Sequence, residues 1–193
     1  AGRRAPPPPL ITGTAPFVAA TVARTTVPTS LTERLWNSPV PQAAKGLAEL
    51  ADPSGLEALL QGCSDEYWSV RAQAGWGVGR IGGPKAVEAL IGLFNDSIME
   101  VRNDAVAAMA HLGPQTVDRL IQALKDERWR VREHAAKACG DIKDSKAVDA
   151  LVAACRDRDG AVKSAAAEAL GKIRDARAIP ALIKLFRDTS KTV

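Results

Sequence analysis

Residues 126–142 read Asp-Glu-Arg-Trp-Arg-Val-Arg-Glu-His-Ala-Ala-Lys-Ala-Cys-Gly-Asp-Ile, and this stretch decides the fold. Val131, Ala135, Cys139 and Ile142 lie at offsets of 0, 4, 8 and 11, which fall on one face of an α-helix. The segment is therefore an amphipathic helix. The same text recurs upstream and downstream. Asp65, Asp96, Asp126, Asp157 and Asp188 are separated by 31, 30, 31 and 31 residues. After the first four come Val70-Arg71, Val101-Arg102, Val131-Arg132 and Val162-Lys163, and four residues past each Val stands Ala74, Ala105, Ala135 or Ala166.

Each amphipathic segment ends at a break, written Gly82-Gly83-Pro84, Gly113-Pro114, Lys143-Asp144-Ser145 or Arg174-Asp175. A second, shorter helix follows, with an expected buried stripe of Val87-Leu90-Phe94, Val117-Leu120-Leu124, Val148-Leu151-Cys155 or Ile179-Leu182-Phe186. Pro84 and Pro180 fall near the starts of these helices, where a missing N–H does least harm. Leu47 through Leu59 aligns with Val78 through Leu90 at a shift of 31, so the register extends backwards, with breaks expected at Asp52-Pro53 and Asp175 as well. Five units result, at residues 34–64, 65–95, 96–125, 126–156 and 157–187. No single helical pair encloses its own apolar face, so the units must stack. The expected fold is all-α: a solenoid over residues 34–193, with an extended arm over residues 1–33.

The pattern at Asp126–Ile142 resembles the short HEAT-like repeat first associated with phycobilin lyases, and Ala178-Ile179-Pro180-Ala181-Leu182-Ile183 resembles its second helix. The likeness spans about residues 36–188. The resemblance implies a helical-repeat fold and leaves function open, because its members include lyases, hydroxylases, nucleic-acid binders and plain scaffolds.

Asp65, Arg71, Asp96, Arg102, Asp126, Arg132, Asp157 and Lys163 recur in every unit, which argues against a single active site. They are expected to form an inter-repeat ladder of charge-assisted hydrogen bonds, each Asp capping a first helix and Arg102 and Arg132 reaching the adjoining units. HEAT-like iron hydroxylases carry several His-Glu pairs; this chain has Glu133-His134 once and only one other histidine, His111. Metal chemistry of that kind is not expected, nor any cofactor, nor catalysis. Cys63, Cys139 and Cys155 lack C-x-x-C spacing and read as buried thiols.

Trp76 aligns with Ala107, Lys137 and Glu168, a register that tolerates charge. It is an expected solvent-facing anchor for a partner, or else a ring lying flat across its neighbours. Trp68, Met99 and Trp129 share a second register, read as first-turn packing between units. The cluster Arg128-Trp129-Arg130-Val131-Arg132 carries basic and aromatic groups in the manner of a nucleic-acid contact, but Asp126, Glu127 and Glu133 dilute it.

Residues 1–32 hold Arg3, Arg4 and Arg24 and no acid, a run of four prolines at 6–9, and Thr/Ala/Val-rich sequence beyond. Such a segment has too little apolar content for its own core and favours extended polyproline II. Leu10, Ile11, Phe17 and Val18 are expected to enter apolar grooves of other subunits, with the three arginines near acidic or phosphate groups. Its composition, and a start at Ala1, suit a processed organelle-targeting segment. Residues 33–125 carry 8 basic and 11 acidic side chains, and residues 126–193 carry 15 and 11. That polarity suits an oriented interface. The expectation is a non-catalytic scaffold among other protein subunits in an organelle, a plastid ahead of a mitochondrion. A bilin lyase and a nucleic-acid-binding solenoid are the alternatives.

Overall fold

A computed structural model describes residues 39–189, with side chains over residues 42–187. The described residues form ten α-helices and no strand. In chain order they are α1 (Pro39–Leu50), α2 (Leu56–Gly62), α3 (Trp68–Ile81), α4 (Pro84–Leu93) and α5 (Met99–Leu112). These are followed by α6 (Val117–Ala123), α7 (Trp129–Ile142), α8 (Val148–Ala154), α9 (Gly160–Ile173) and α10 (Ile179–Thr189). Odd-numbered helices open units and even-numbered ones close them. Single 3-10 turns at Pro53–Gly55, Pro114–Thr116, Ser145–Ala147 and Ala176–Ala178 lead into α2, α6, α8 and α10.

The breaks are built as their residues dictate. Gly82 and Gly113 take positive φ, 77° and 79°, and let their N–H groups close onto Val78 and Met109. Lys143 and Arg174 end the later first helices in a different conformation, the left-handed helical one, at φ of 60° and 61° despite carrying a Cβ. Asp52, Asp144 and Asp175 cap the second-helix segments by accepting the N–H two residues on, at 2.8, 2.8 and 2.9 Å.

The core follows the repeat text. Val70, Val101, Val131 and Val162, with Ala74, Ala105, Ala135 and Ala166, are all buried, as are Val87, Leu90 and Phe94 and their counterparts in the next two units. The second helices α2, α4, α6 and α8 pack against the first helix of the following unit, α3, α5, α7 and α9. The last stripe departs from the expectation. Ile179 and Phe186 are exposed, because no following first helix covers α10 among the described residues.

First helices stack more closely than second helices do. Small side chains permit it. A Cβ on Gly79 would meet Ala108 at 2.8 Å, and one on Gly140 would meet the Cα of Ala169 at 2.7 Å. The third unit carries Ala110 in that register, and its α5–α7 step is the loosest along the first-helix column. That unit is also one residue shorter, with Gly113 alone joining its two helical segments.

Candidate interaction surface

The ladder register comes first, because it fixes which charged groups are left for partners. Arg71 donates from Nε and a terminal nitrogen to both carboxylate oxygens of Asp96 in the next unit, at 2.6 and 2.9 Å. Arg132 does the same to Asp157, at 2.7 and 2.9 Å. The remaining nitrogen of each closes onto carbonyls of its own unit, Asp65 and Glu66 for Arg71, and Asp126 and Glu127 for Arg132. Burial pushes the Asp96 and Asp157 carboxyls up, but the guanidinium partners and the N–H groups of Ile98 and Asp159 outweigh it. Both end below the usual carboxylate range.

Arg102 breaks the pattern. It donates to the Asp96 and Ser97 carbonyls, at 2.6 and 3.1 Å, and its Nε is buried with no partner. The carboxylate it was expected to reach, Asp126, is held instead by Arg128 at 2.9 and 2.8 Å. Arg128 stands where Ile98 stands one unit earlier, and the shorter third unit shifts the spacing from 25 residues to 24. Lys163 makes no ion pair with a described side chain, and the side chain of Asp188, its counterpart, lies outside the described residues.

The aspartates also cap differently from the expectation. The first helices begin three residues after Asp65, Asp96, Asp126 and Asp157, so these are not N-caps. Each accepts the N–H two residues on, at 2.9, 2.9, 2.9 and 2.8 Å, tightening the turn between units. In the last unit Asp159 is the true cap, accepting from Ala161 and Val162 at 2.8 and 3.4 Å.

Trp76 is half-buried against the core and its indole N–H acts on the carboxyl of Asp104, one unit on. It therefore lies across its neighbours and does not stand out as an anchor. Burial raises the Asp104 pKa and the indole partly offsets that rise. Trp76→Phe is expected to move the Asp104 pKa higher still. Carboxyl-carbon NMR titration of wild type and variant measures the shift, and an unchanged or lower value would show that the indole does not bear on Asp104.

The exposed apolar groups sit elsewhere. Trp68, Met99 and Trp129 are 40, 58 and 38% exposed, each the first residue of its helix. Trp68 and Trp129 stay more than half covered, in keeping with first-turn packing, while part of each ring reaches water. Val70, Val101 and Val131 occupy the core two residues later, and two residues are a 200° turn away. Stacked units place these three side chains about 10 Å apart along one edge. Arg130 stacks over the Trp129 ring at 4.7 Å. Exposed Glu66 and Glu127 flank the row.

Among the described residues, no group of three or more His, Cys, Asp or Glu side chains could hold a metal ion. His134 is buried beside Phe94, with ring centroids 6.2 Å apart, and Nδ1 lies 2.8 Å from the Arg130 carbonyl. A carbonyl only accepts, so Nδ1 carries the proton. Burial pushes this imidazole below its ordinary pKa. All three cysteines are buried and free, and burial pushes Cys63 and Cys139 up to about 12, far from thiolate reactivity. No described helix is long and apolar enough to cross a membrane.

Residues 41–110 and 117–193 match the family described as HEAT repeats. The chain belongs to the HEAT-repeat family. Crescerin, which uses a TOG domain array to regulate microtubules in the primary cilium, shares the fold at 18% identity and a TM-score of 0.57, with 82% of each chain covered. The complex of CpcE and CpcF of phycocyanin lyase from Nostoc sp. PCC7120 is similar at 29% identity and a TM-score of 0.48, over 68% of this chain and 57% of that one. A designed armadillo repeat protein in complex with peptide (KR)4 is similar at 21% identity and a TM-score of 0.40, over 81% and 86%. The comparison with curated proteins returns no match. The arm residues Arg3, Arg4, Leu10, Ile11, Phe17, Val18 and Arg24 lie outside the described residues.

Proposed function

We propose that this HEAT-repeat chain is a non-catalytic scaffold that binds a protein partner along the Trp68–Met99–Trp129 edge. The observation that carries the reading is this row of large apolar side chains, partly exposed at one register of three successive units. An aromatic row on a rigid solenoid loses little side-chain freedom on binding, and Trp is the residue most enriched among energetic anchors. In the same proposal the chain is an accessory subunit of an organellar assembly, a plastid complex ahead of a mitochondrial one. The acid-free, proline-bearing arm supports that placement and supplies a second tether through Leu10, Ile11, Phe17 and Val18.

Cross-linking in an extract of the source organism, followed by mass spectrometry of the neighbouring chains, tests the proposal. Trp68→Ala with Trp129→Ala is expected to weaken capture of the neighbour at least tenfold at a temperature where circular dichroism shows the variant folded, with some loss of melting temperature because each ring is more than half covered. Deleting residues 1–30 is expected to reduce capture without altering helical content. Undiminished capture by the double variant would remove the edge from the proposal, and a tetrapyrrole co-purifying with the chain would replace a scaffold with a pigment-handling role.

A further inference from the structure

The two ends of the solenoid are complementary to each other. At one end α10 presents Ile179, Ile183 and Phe186, which are 55, 48 and 78% exposed. Ile179 and Phe186 stand in the register of Val87 and Phe94, Val117 and Leu124, and Val148 and Cys155, all buried under the first helix of a following unit. The uncovered strip is therefore shaped for a first helix with small residues on its contact face.

At the other end α1 presents such a face. In the second unit Gly77 receives Leu59 of the unit before it, so closely that a Cβ there would lie 2.7 Å from both Leu59 methyls. Gly46 stands one unit earlier in the same register, and no described residue lies within 4 Å of its ideal Cβ. Ala43 is exposed in the register of fully buried Ala74, and Leu50 is 75% exposed in the register of half-buried Ile81. The residue at the opposite end in the register of Leu59 is Leu182.

Charge points the same way. Glu49, Arg80, His111, Asp141 and Lys172 form one row along the first helices. Lys172 pairs with Asp141 at 2.9 Å across a unit boundary, and Arg80 reaches the Glu49 carbonyl at 3.4 Å across another. Continuing the stack by one unit brings Lys172 of one copy onto Glu49 of the next, an opposite pair. The acidic balance of residues 33–125 likewise meets the basic balance of residues 126–193.

We infer that this chain associates head to tail, α10 of one copy receiving α1 of a second in the geometry that joins its own units. The contact is heterologous: it uses two different faces, so it extends into a chain of copies or closes into a ring. It is independent of the Trp68–Met99–Trp129 edge, which stays open along the side of the assembly. The contact combines apolar burial with ion pairing, so rising salt weakens it without abolishing it.

Sedimentation of the full chain over a hundredfold range of concentration tests this. The weight-average mass should rise past that of a dimer, and less steeply at high salt. Phe186→Asp and Gly46→Arg should each sediment as a monomer while keeping wild-type circular dichroism, since Phe186 is exposed and no described residue crowds a Cβ at Gly46. Ile183→Lys and Ala43→Arg serve as second variants for the two faces. The mixture of Phe186→Asp with Gly46→Arg is decisive. One intact face remains on each, so the pair should form a one-to-one dimer and nothing larger. A wild type that stays monomeric throughout overturns the inference, and so does association that survives Gly46→Arg. A mixture that remains monomeric overturns it equally.

Discussion

Arg132→Ala is expected to lower stability by about 3 kcal/mol, the lower end of the cost of breaking a buried ion pair, because Asp157 retains some contact with water. Three groups lose their donor at once: the Asp157 carboxylate and the Asp126 and Glu127 carbonyls. For a fold of this size the loss corresponds to a melting shift of roughly 6–12 °C. Arg71→Ala should behave similarly through Asp96. Arg102→Ala should cost under about 1 kcal/mol, because it removes no carboxylate pair and relieves a buried, unpartnered Nε. The pH dependence has a definite sign. The folded Asp157 carboxyl lies below its unfolded value, so its contribution is full above about pH 4 and is lost as pH falls through the folded pKa. Arg132→Ala should flatten that acid limb. Thermal melts of the three variants at neutral and acid pH supply the measurement, and equal losses for Arg102 and Arg132 would defeat the account.

The contrast between Arg102 and its neighbours also marks where the sequence stopped being legible. The repeat text places Arg71, Arg102 and Arg132 in one register, and nothing in that alignment separates them. The 30-residue spacing before Asp126 was visible, but its consequence depends on Arg128 reaching back to take the carboxylate. Competition between side chains is a property of the folded turn. The helix pairs, their breaks and the buried Val and Ala positions were legible because a 3.6-residue period repeated five times leaves few alternatives.

The edge row was legible in principle. Trp68 and Val70 cannot share a helix face, so the partial exposure of the ring follows from the 100° step alone. Trp76 misled in the other direction. Its register accepts Lys137 and Glu168, which suggested open water, yet the ring is half-buried against the core with its indole N–H on Asp104. A register's tolerance for charge therefore says where a long side chain can escape, and says less about where a broad ring settles. The last stripe, Ile179 to Phe186, was misjudged because burial in a solenoid belongs to the junction between units, and α10 has only one junction.

The junction between α7 and α9 supports the second large effect. Gly140→Val is expected to destabilise the chain by about 3 kcal/mol, toward the upper end for overpacking, since its Cβ would stand 2.7 Å from the Cα of Ala169. Backbone cannot move aside as a flexible side chain can, so α7 and α9 must separate. Separation also stretches the Arg132–Asp157 rung that bridges the same two units. Gly171 supplies the control, because it occupies the same register one unit later with nothing within 4 Å of its ideal Cβ. Gly171→Ala should therefore stabilise the chain by up to about 1 kcal/mol, the helix-propensity difference between the two residues. The two substitutions have opposite signs at equivalent positions, and urea denaturation at concentrations where the chain is monomeric reads both. Nature has already made a milder version of the change at Ala110, and the α5–α7 step there is the loosest of the first-helix column. If Gly140→Val and Gly171→Val proved equally costly, β-branching within the helix would explain both. Close approach of first helices would then lose its place as the feature that holds the stack together.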